Sequence, residues 1–194
     1  VRNERENLAV AHRMAEKLRH RGPDSWGEWV GEHAVFAHSR LAVIDVENGL
    51  QPMKRTVEGH EFVITYNGEL YNTNDIRNGY EFTTASDTEV LLYAYIHYGE
   101  TCAEMLNGIY AFVIWDSMRQ RIFACRDRFG VKPFFYTQKN DVTVFASELK
   151  SLFEYPDVSA VLDKTGLCEL FALSPARTQG VGVFKDVREL RPAR

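Results

Sequence analysis

Apolar residues recur at helical spacing at Leu8, Ala11, Ala15 and Leu18, with Arg13, Glu16 and Lys17 among the polar positions between them. This stripe predicts an opening helix. It has to stop before Gly22-Pro23, because proline disfavours helical geometry in the residue ahead of it. Short strands are predicted over residues 26–30 and 34–37, with Gly31 available for the turn between them. A further strand over 61–66 runs into Asn67-Gly68. Ser86-Asp87-Thr88-Glu89 has the spacing of a capping box, and Val90, Leu91, Ala94 and Tyr95 form an apolar stripe behind it. Over 109–115 both alternating faces are apolar: Ile109, Ala111, Val113 and Trp115 on one, Tyr110, Phe112 and Ile114 on the other. Such a strand has to be covered on both sides. Residues 121–125, 134–137 and 142–146 read as companion strands, with turn chemistry in Lys139-Asn140-Asp141. A last helix is expected to start with Asp163 as its cap and to run through Leu167, Leu170 and Phe171. Residues 56–60 and 174–182 give no pattern to assign.

Helices at both ends of a run of doubly buried strands imply stacked sheets with helices outside, an α+β class. Periodicity does not separate a layered sandwich from other α+β arrangements. Composition adds limits. The 194 residues are 45% hydrophobic and 26% charged, the balance of a soluble domain that can bury a core without disulfides or metals. The net charge of -4, from 23 basic and 27 acidic residues, gives no basic field for nucleic acid. No apolar run has the length of a membrane span, and no signal-peptide pattern opens the sequence. Cys102, Cys125 and Cys168 are odd in number and lack paired-ligand spacing, which favours a reducing compartment and a cytoplasmic setting. Each is expected to be a small buried hydrophobe.

Four segments carry polar groups that chemistry could use. His20-Arg21-Gly22-Pro23-Asp24 reads first as a structural corner. The loop Arg126-Asp127-Arg128-Phe129-Gly130-Val131-Lys132-Pro133 could hold an anion, though a buried-charge network pinning strands is the commoner use. Arg40 places a planar five-donor group among strand-like residues. It suits a two-bond grip on a carboxylate and equally a structural ion pair. Asn67-Gly68 reads as a hairpin turn, and because Asn48-Gly49, Asn78-Gly79 and Asn107-Gly108 also occur, the dipeptide alone says little. In the right setting an amide side chain and a glycine N–H form an oxyanion hole. Glu69 and Asp87 could hold an ammonium group, although acids are commonplace in a first helical turn.

Taken in order, these segments resemble the glutamine amidotransferase domain of asparagine synthetases. The resemblance runs through His20-Arg21-Gly22-Pro23-Asp24, His38-Ser39-Arg40-Leu41-Ala42-Val43-Ile44-Asp45 and Gln51-Pro52-Met53. It continues in Tyr66-Asn67-Gly68-Glu69-Leu70-Tyr71-Asn72, Ser86-Asp87-Thr88-Glu89-Val90 and Leu106-Asn107-Gly108-Ile109-Tyr110-Ala111-Phe112. The loop 126–133 and Ala146-Ser147-Glu148-Leu149-Lys150-Ser151-Leu152 complete it.

The resemblance implies an N-terminal-nucleophile hydrolase fold, a four-layer αββα sandwich with two antiparallel sheets, over residues 1–194. Residues 174–194 resemble a connector toward a synthetase domain outside this sequence. It further implies that Arg40 takes the α-carboxylate of glutamine, with backbone near Ile44 lining the same pocket. Asn67 and Gly68 would form the oxyanion hole, and Glu69 and Asp87 would receive the ammonium. The implied reaction is amide hydrolysis through a γ-glutamyl thioester. The released ammonia goes to an ATP- and Mg-using domain of the same polypeptide that converts aspartate to asparagine.

No cofactor or metal is expected in this domain, nor a nucleic-acid or membrane partner, and a homodimer is left open. The nucleophile of the family is a cysteine at the processed N-terminus whose α-amine, titrating at roughly 8, is the base. The sequence opens Val1-Arg2-Asn3, and the internal cysteines have no α-amine. The first strand with its nucleophile is therefore expected to lie outside these residues, and the 194 residues alone are expected to be inactive. An alternative is an inactive scaffold domain of a related amide- or β-lactam-forming synthetase. The complete set Arg40, Asn67, Gly68, Glu69 and Asp87 favours hydrolysis. An unrelated hydrolase using Cys125 and a histidine is the poorest reading, because a strand interior disfavours the thiolate.

Overall fold

The computed structural model describes residues 4–77, 79, 81–174 and 178–193. Helix α1, Glu4–Glu16, is followed by a short 3-10 turn, Arg19–Arg21, that ends at Gly22. A side chain at Gly22 would place Cβ 2.2 Å from the Ser39 carbonyl oxygen, so only glycine lets the corner pack against the strand beside it. Strands β1, Ser25–Val30, and β2, Val35–Arg40, form a hairpin, closed by Gly31 N–H donating to the Ala34 carbonyl.

The central sheet has the order β3-β4-β5-β6 and is antiparallel throughout. Its strands are β3, Met53–Val57, β4, His60–Leu70, β5, Gly108–Asp116, and β6, Arg121–Arg126. Strand β3 and the tight turn that follows it fall where sequence pattern gives no assignment. Glu58 and Gly59 both take positive φ, 52° and 82°, in the two-residue geometry that matches strand twist. Glutamate is an unusual occupant of that position, which hides the hairpin from a search for turn residues.

Helices α2, Thr73–Arg77, α3, Asp87–Tyr98, and α4, Cys102–Met105, lie between β4 and β5. A third sheet has the order β8-β7-β9, from β7, Phe135–Lys139, β8, Val142–Ala146, and β9, Val187–Glu189. Helix α5, Leu149–Leu152, follows β8, and α6, Lys164–Cys168, precedes β9.

Three apolar clusters define the layers. Phe62, Ile64 and Tyr66 of β4, with Tyr110, Phe112 and Ile114 of β5, pack against Leu91, Leu92 and Tyr95 of α3. On the opposite face of the same strands, Val63, Ala111, Val113 and Trp115 pack against Phe36 of the hairpin and against Phe134 and Phe145 at the third sheet. Beyond that sheet, Phe135, Val144 and Val187 meet Val10 of α1 and Leu152 of α5. The order helix, sheet, sheet, helix is the four-layer αββα sandwich. Strand β5 is apolar on both faces because α3 covers one and the second sheet layer the other. That second layer comes in two pieces among the described residues, the hairpin β1-β2 and the sheet β8-β7-β9.

The structure corrects three local expectations and adds one strand. Ser86 caps α3 by accepting from Thr88 N–H, but Glu89 does not return to the Ser86 N–H as a capping box requires. The Glu89 carboxylate instead accepts from the N–H and hydroxyl groups of Thr83 and Thr84 and from Arg55. The final helix begins with Asp163 accepting from Gly166 N–H but leaves α-geometry at Glu169, and Leu167, Leu170 and Phe171 are exposed rather than core-facing. Cys102 and Cys125 are buried, whereas Cys168 is exposed on α6. Within the tail, which has little periodicity, β9 pairs with β7 through Phe135↔Glu189 and Thr137↔Val187; of that tail, residues 175–177 and 194 lie outside the described part.

Candidate functional site

A cavity of about 1600 Å3 lies between the central sheet and the second layer. Its lining includes Arg40, Ile44, Asn67, Gly68, Glu69 and Asp87, all six of the candidate residues, which three elements and one loop supply. It is larger than the roughly 300–1,000 Å3 of ordinary small-molecule pockets. The extra room lies where the second layer divides. Strands β2 and β8 both line the cavity, and among the described residues β2 pairs only with β1 and β8 only with β7. Two open strand edges therefore border one space.

The guanidinium of Arg40, at the end of β2, is buried, and it accounts for the shape of the loop that follows. It donates from Nη1 to the Val46 carbonyl at 2.8 Å, and from Nη2 to the Asp45 carbonyl at 2.8 Å and the Ile44 carbonyl at 3.2 Å. No acid pairs with it among the described residues, so the structural ion pair is replaced by a cage of three carbonyls. Of the five donors of an arginine, Nε–H and one N–H of Nη1 keep no partner among the described residues. Gly49 lets the loop close: a Cβ there would lie 2.7 Å from Arg40 Nη2 and 2.8 Å from the Asp45 carbonyl oxygen. Asp45 stands at φ 49° and ties the loop to the head of α3 by accepting from Ala85 N–H at 2.8 Å. That bond is the main reason its carboxyl titrates below the ordinary range. Asp24, in the corner after α1, accepts from Ala42 N–H at 2.8 Å and anchors the loop's other end.

Asn67-Gly68 is not a turn. Both residues lie inside β4, in register with Ala111 and Tyr110 of β5. Asn48-Gly49 closes the loop on Arg40 and Asn107-Gly108 enters β5, so these three Asn-Gly pairs have different tasks, while Asn78 of the fourth lies outside the described residues. Gly68 is required by packing, since a Cβ would meet the Ile109 carbonyl oxygen at 2.3 Å and Tyr110 Cα at 2.7 Å.

Strand alternation then gives the direction of its N–H. Tyr66 turns both backbone groups away from β5, donating its N–H to Gln51 Oε1 at 2.6 Å and accepting at its carbonyl from Gln51 Nε2 at 2.9 Å. Leu70 N–H points to the same side and donates to Asp87 Oδ2 at 3.2 Å. Gly68, midway between them, points its N–H to that side too, where β3 has already ended at Met53. The side chain of Asn67 shares a sheet face with those of Thr65 and Glu69. That face looks toward the hairpin, because Thr65 Oγ1 and His38 Nδ1 of β2 lie 2.9 Å apart. Burial and the nearby Arg40 charge push the His38 imidazole down to about 4, so it is neutral near pH 7.

Asp87, the first residue of α3, is buried. Its Oδ2 accepts from the Tyr66 hydroxyl at 2.8 Å as well as from Leu70 N–H, which leaves Oδ1 without a partner among the described residues. Burial first, and then the Asp87 charge, raise the Tyr66 hydroxyl far above its ordinary range and keep it a donor. Glu69 is exposed at the cavity edge.

The two other charged segments are frameworks. Arg126 is buried and donates to the carbonyls of Gly130, Lys132 and Leu190, and it pairs with Glu189 at 3.0 Å. Burial alone would raise the Asp127 carboxyl, but N–H bonds from Val131, Lys132, Phe129 and Tyr110 hold it low. His20 and Arg21 converge on Glu148 at 3.1 Å each, pinning the corner after α1 to the start of α5. Gln51, His38 and Tyr66 all stand in the sequence motifs, but nothing in the sequence gives any of them a role. A glutamine two residues ahead of a strand, beside a proline that cannot pair, is the one local signal that could have drawn attention.

Comparison with solved structures finds this fold in other proteins. The glutamine phosphoribosylpyrophosphate amidotransferase of B. subtilis superposes with a TM-score of 0.63 at 20% identity, over 75% of this chain and 40% of that one. A second structure, described as the allosteric regulatory enzyme of purine biosynthesis, gives 0.54 at 26% identity over 62% and 29%. Residues 1–194 match the profile of the glutamine amidotransferase domain, and the chain belongs to that family. Asparagine synthetase [glutamine-hydrolyzing] 3 of Bacillus subtilis is 50% identical over 186 residues, 93% of this chain and 30% of that protein. Asparagine synthetase [glutamine-hydrolyzing] 1 of the same organism is 47% identical over 144 residues, 72% and 22%. The chain thus spans less than a third of the length of these relatives. No helix among the described residues is long and apolar enough to cross a membrane.

Proposed function

We propose that this domain hydrolyses glutamine to glutamate and ammonia and hands the ammonia to an ATP-dependent asparagine synthetase domain of the same polypeptide. The observation that carries the reading is the Gly68 N–H, without a partner among the described residues and aimed past the end of β3 between two clamped neighbours, in one cavity with Arg40 and Asp87. Glutamine would place its α-carboxylate against Arg40, using the two uncommitted donors or displacing a loop carbonyl. Its ammonium would go to Asp87 Oδ1 and Glu69, and its γ-carbonyl oxygen to Asn67 Nδ2 and Gly68 N–H.

The nucleophile in this reading is an N-terminal cysteine on a strand seated between the open edges of β2 and β8. The thiolate adds to the γ-carbonyl carbon, and the oxyanion that forms is held by Asn67 and Gly68. The α-amine of the cysteine, having taken the thiol proton, returns it to the departing ammonia. Water then cleaves the thioester, releasing glutamate and restoring the thiol. ATP and Mg belong to the synthetase domain, and a cytoplasmic setting fits the unpaired thiols.

The test is ammonia release by the full-length natural chain. Asn67→Ala is expected to lower kcat about 10²- to 10³-fold, the usual cost of one oxyanion donor, with KM little changed. Asp87→Asn is expected to raise KM roughly 10- to 100-fold, since a charge-assisted hydrogen bond contributes about 1.5–3 kcal/mol. A full-length chain that binds glutamine and releases no ammonia supports the scaffold alternative instead.

A further inference from the structure

Strand β3 pairs with β4 only as far as Met53↔Ile64. Continued in register, the next position on β4 to need a partner is Tyr66. Gln51 supplies it with a side chain instead of backbone. Its amide accepts from Tyr66 N–H at 2.6 Å and donates to the Tyr66 carbonyl at 2.9 Å, the same two bonds an antiparallel neighbour would make. The backbone of Gln51 meanwhile runs against β1, where its carbonyl oxygen would lie 2.3 Å from a Cβ on Gly27. Pairing through a side chain satisfies Tyr66 and still leaves the edge of β4 open at the next N–H on that side, which is Gly68.

We infer that Gln51 is a positioning residue for glutamine hydrolysis, setting the oxyanion donors through Tyr66. This inference rests on the amidotransferase reading. Tyr66 precedes Asn67 and Gly68 directly, and its hydroxyl donates to Asp87 Oδ2 at 2.8 Å. A shift of the Tyr66 backbone therefore moves the groups facing the substrate carbonyl, whereas Asp87 is carried by α3 and keeps Leu70 N–H as a second donor. A true strand partner in place of Gln51 would carry pairing on toward Gly68 and close the site.

The test compares wild type, Gln51→Met and Gln51→Glu in the full-length natural chain. Methionine keeps the length of the side chain and removes both hydrogen bonds. Glutamate keeps the acceptor and replaces the donor with a charge facing the Tyr66 carbonyl. Ammonia release is read together with inhibition by the aldehyde analogue of glutamine, which forms a tetrahedral adduct, and by glutamate, which forms none. Both variants are expected to lose kcat by about 10- to 100-fold, the scale of a displacement near 1 Å. Aldehyde affinity should fall by a similar factor, and glutamate affinity by less than about threefold, on the premise that only an adduct needs the oxyanion donors. The inference is overturned if Gln51→Met keeps kcat within about twofold of wild type, since the side chain then only fills space. It is also overturned if aldehyde and glutamate affinities fall together, which marks general loosening. A wild-type chain that makes no ammonia removes the amidotransferase reading itself, and this inference with it, before any variant is compared.

Discussion

At the head of α3, successive residues with similar chemistry take separate tasks. Ser86 caps the helix, Asp87 turns into the cavity, and Glu89 faces back to bind Thr83, Thr84 and Arg55. Their sequence reads as a capping box, and the cap itself is there. Sequence could not show that Glu89 has better donors than the Ser86 N–H, because Arg55 arrives from β3, 34 positions away. Glu89 is fully buried, and burial alone would raise its carboxyl. The bonds from Arg55, Thr84 and Thr83 outweigh that and hold it at about 2, against 4.5 for an unfolded chain. A depressed carboxyl stabilises the fold above the unfolded value. That contribution, about 3 kcal/mol by linkage, is lost as pH falls from about 4.5 to about 2. Glu89→Gln should therefore lower stability near neutral pH by roughly 3–5 kcal/mol, the cost of breaking a buried ion pair. Urea melts across that pH window should show a flatter acid limb in the variant than in wild type.

Strand β4 shows how an element changes the meaning of a motif. Asn-Gly after an apolar run predicts a turn, and in isolation that is the better reading. Here the strand continues to Leu70 because β5 runs alongside it from Gly108 to Asp116. Within a continuous strand the glycine serves close approach to the β5 backbone, and its N–H, aimed past the end of β3, is the donor that the proposed reaction would use. Gly68→Ala tests this directly. The added methyl meets backbone atoms of Ile109 and Tyr110, which cannot swing aside as a side chain does. Overpacking of this kind costs about 1–3 kcal/mol, so thermal melts should show a destabilised but folded protein with little glutaminase activity. Unchanged stability would mean that β5 yields easily. Elements with strong two-sided or helical periodicity, such as β5 and α3, were legible from sequence. Strands β3 and β9 were not, since their order comes from pairing with β4 and β7 rather than from their own pattern.

In the whole molecule the sandwich places two sheet layers so that one cavity collects residues from β2, β4, the 41–50 loop and the head of α3. The layered fold, and the gathering of the six candidate residues in one cavity, were legible in advance, but only through the order of eight motifs; taken singly, none of the motifs pointed there. What sequence could not supply was the second use of Arg40, which folds its own loop around itself, and the side-chain strand pairing of Gln51. Both depend on backbone carbonyls, which every residue has and no motif marks. Among the described residues the division of the second layer leaves β2 and β8 bordering the same space as Asn67 and Gly68.

The most direct test of the account is covalent labelling of the full-length natural chain with diazo-oxo-L-norleucine, an electrophilic glutamine analogue, read by intact mass and peptide mapping. A single adduct is expected on an N-terminal cysteine, blocked by excess glutamine and much slower in Asp87→Asn. An adduct on Cys102, Cys125 or Cys168, or no adduct on a chain that starts with another residue, would contradict it.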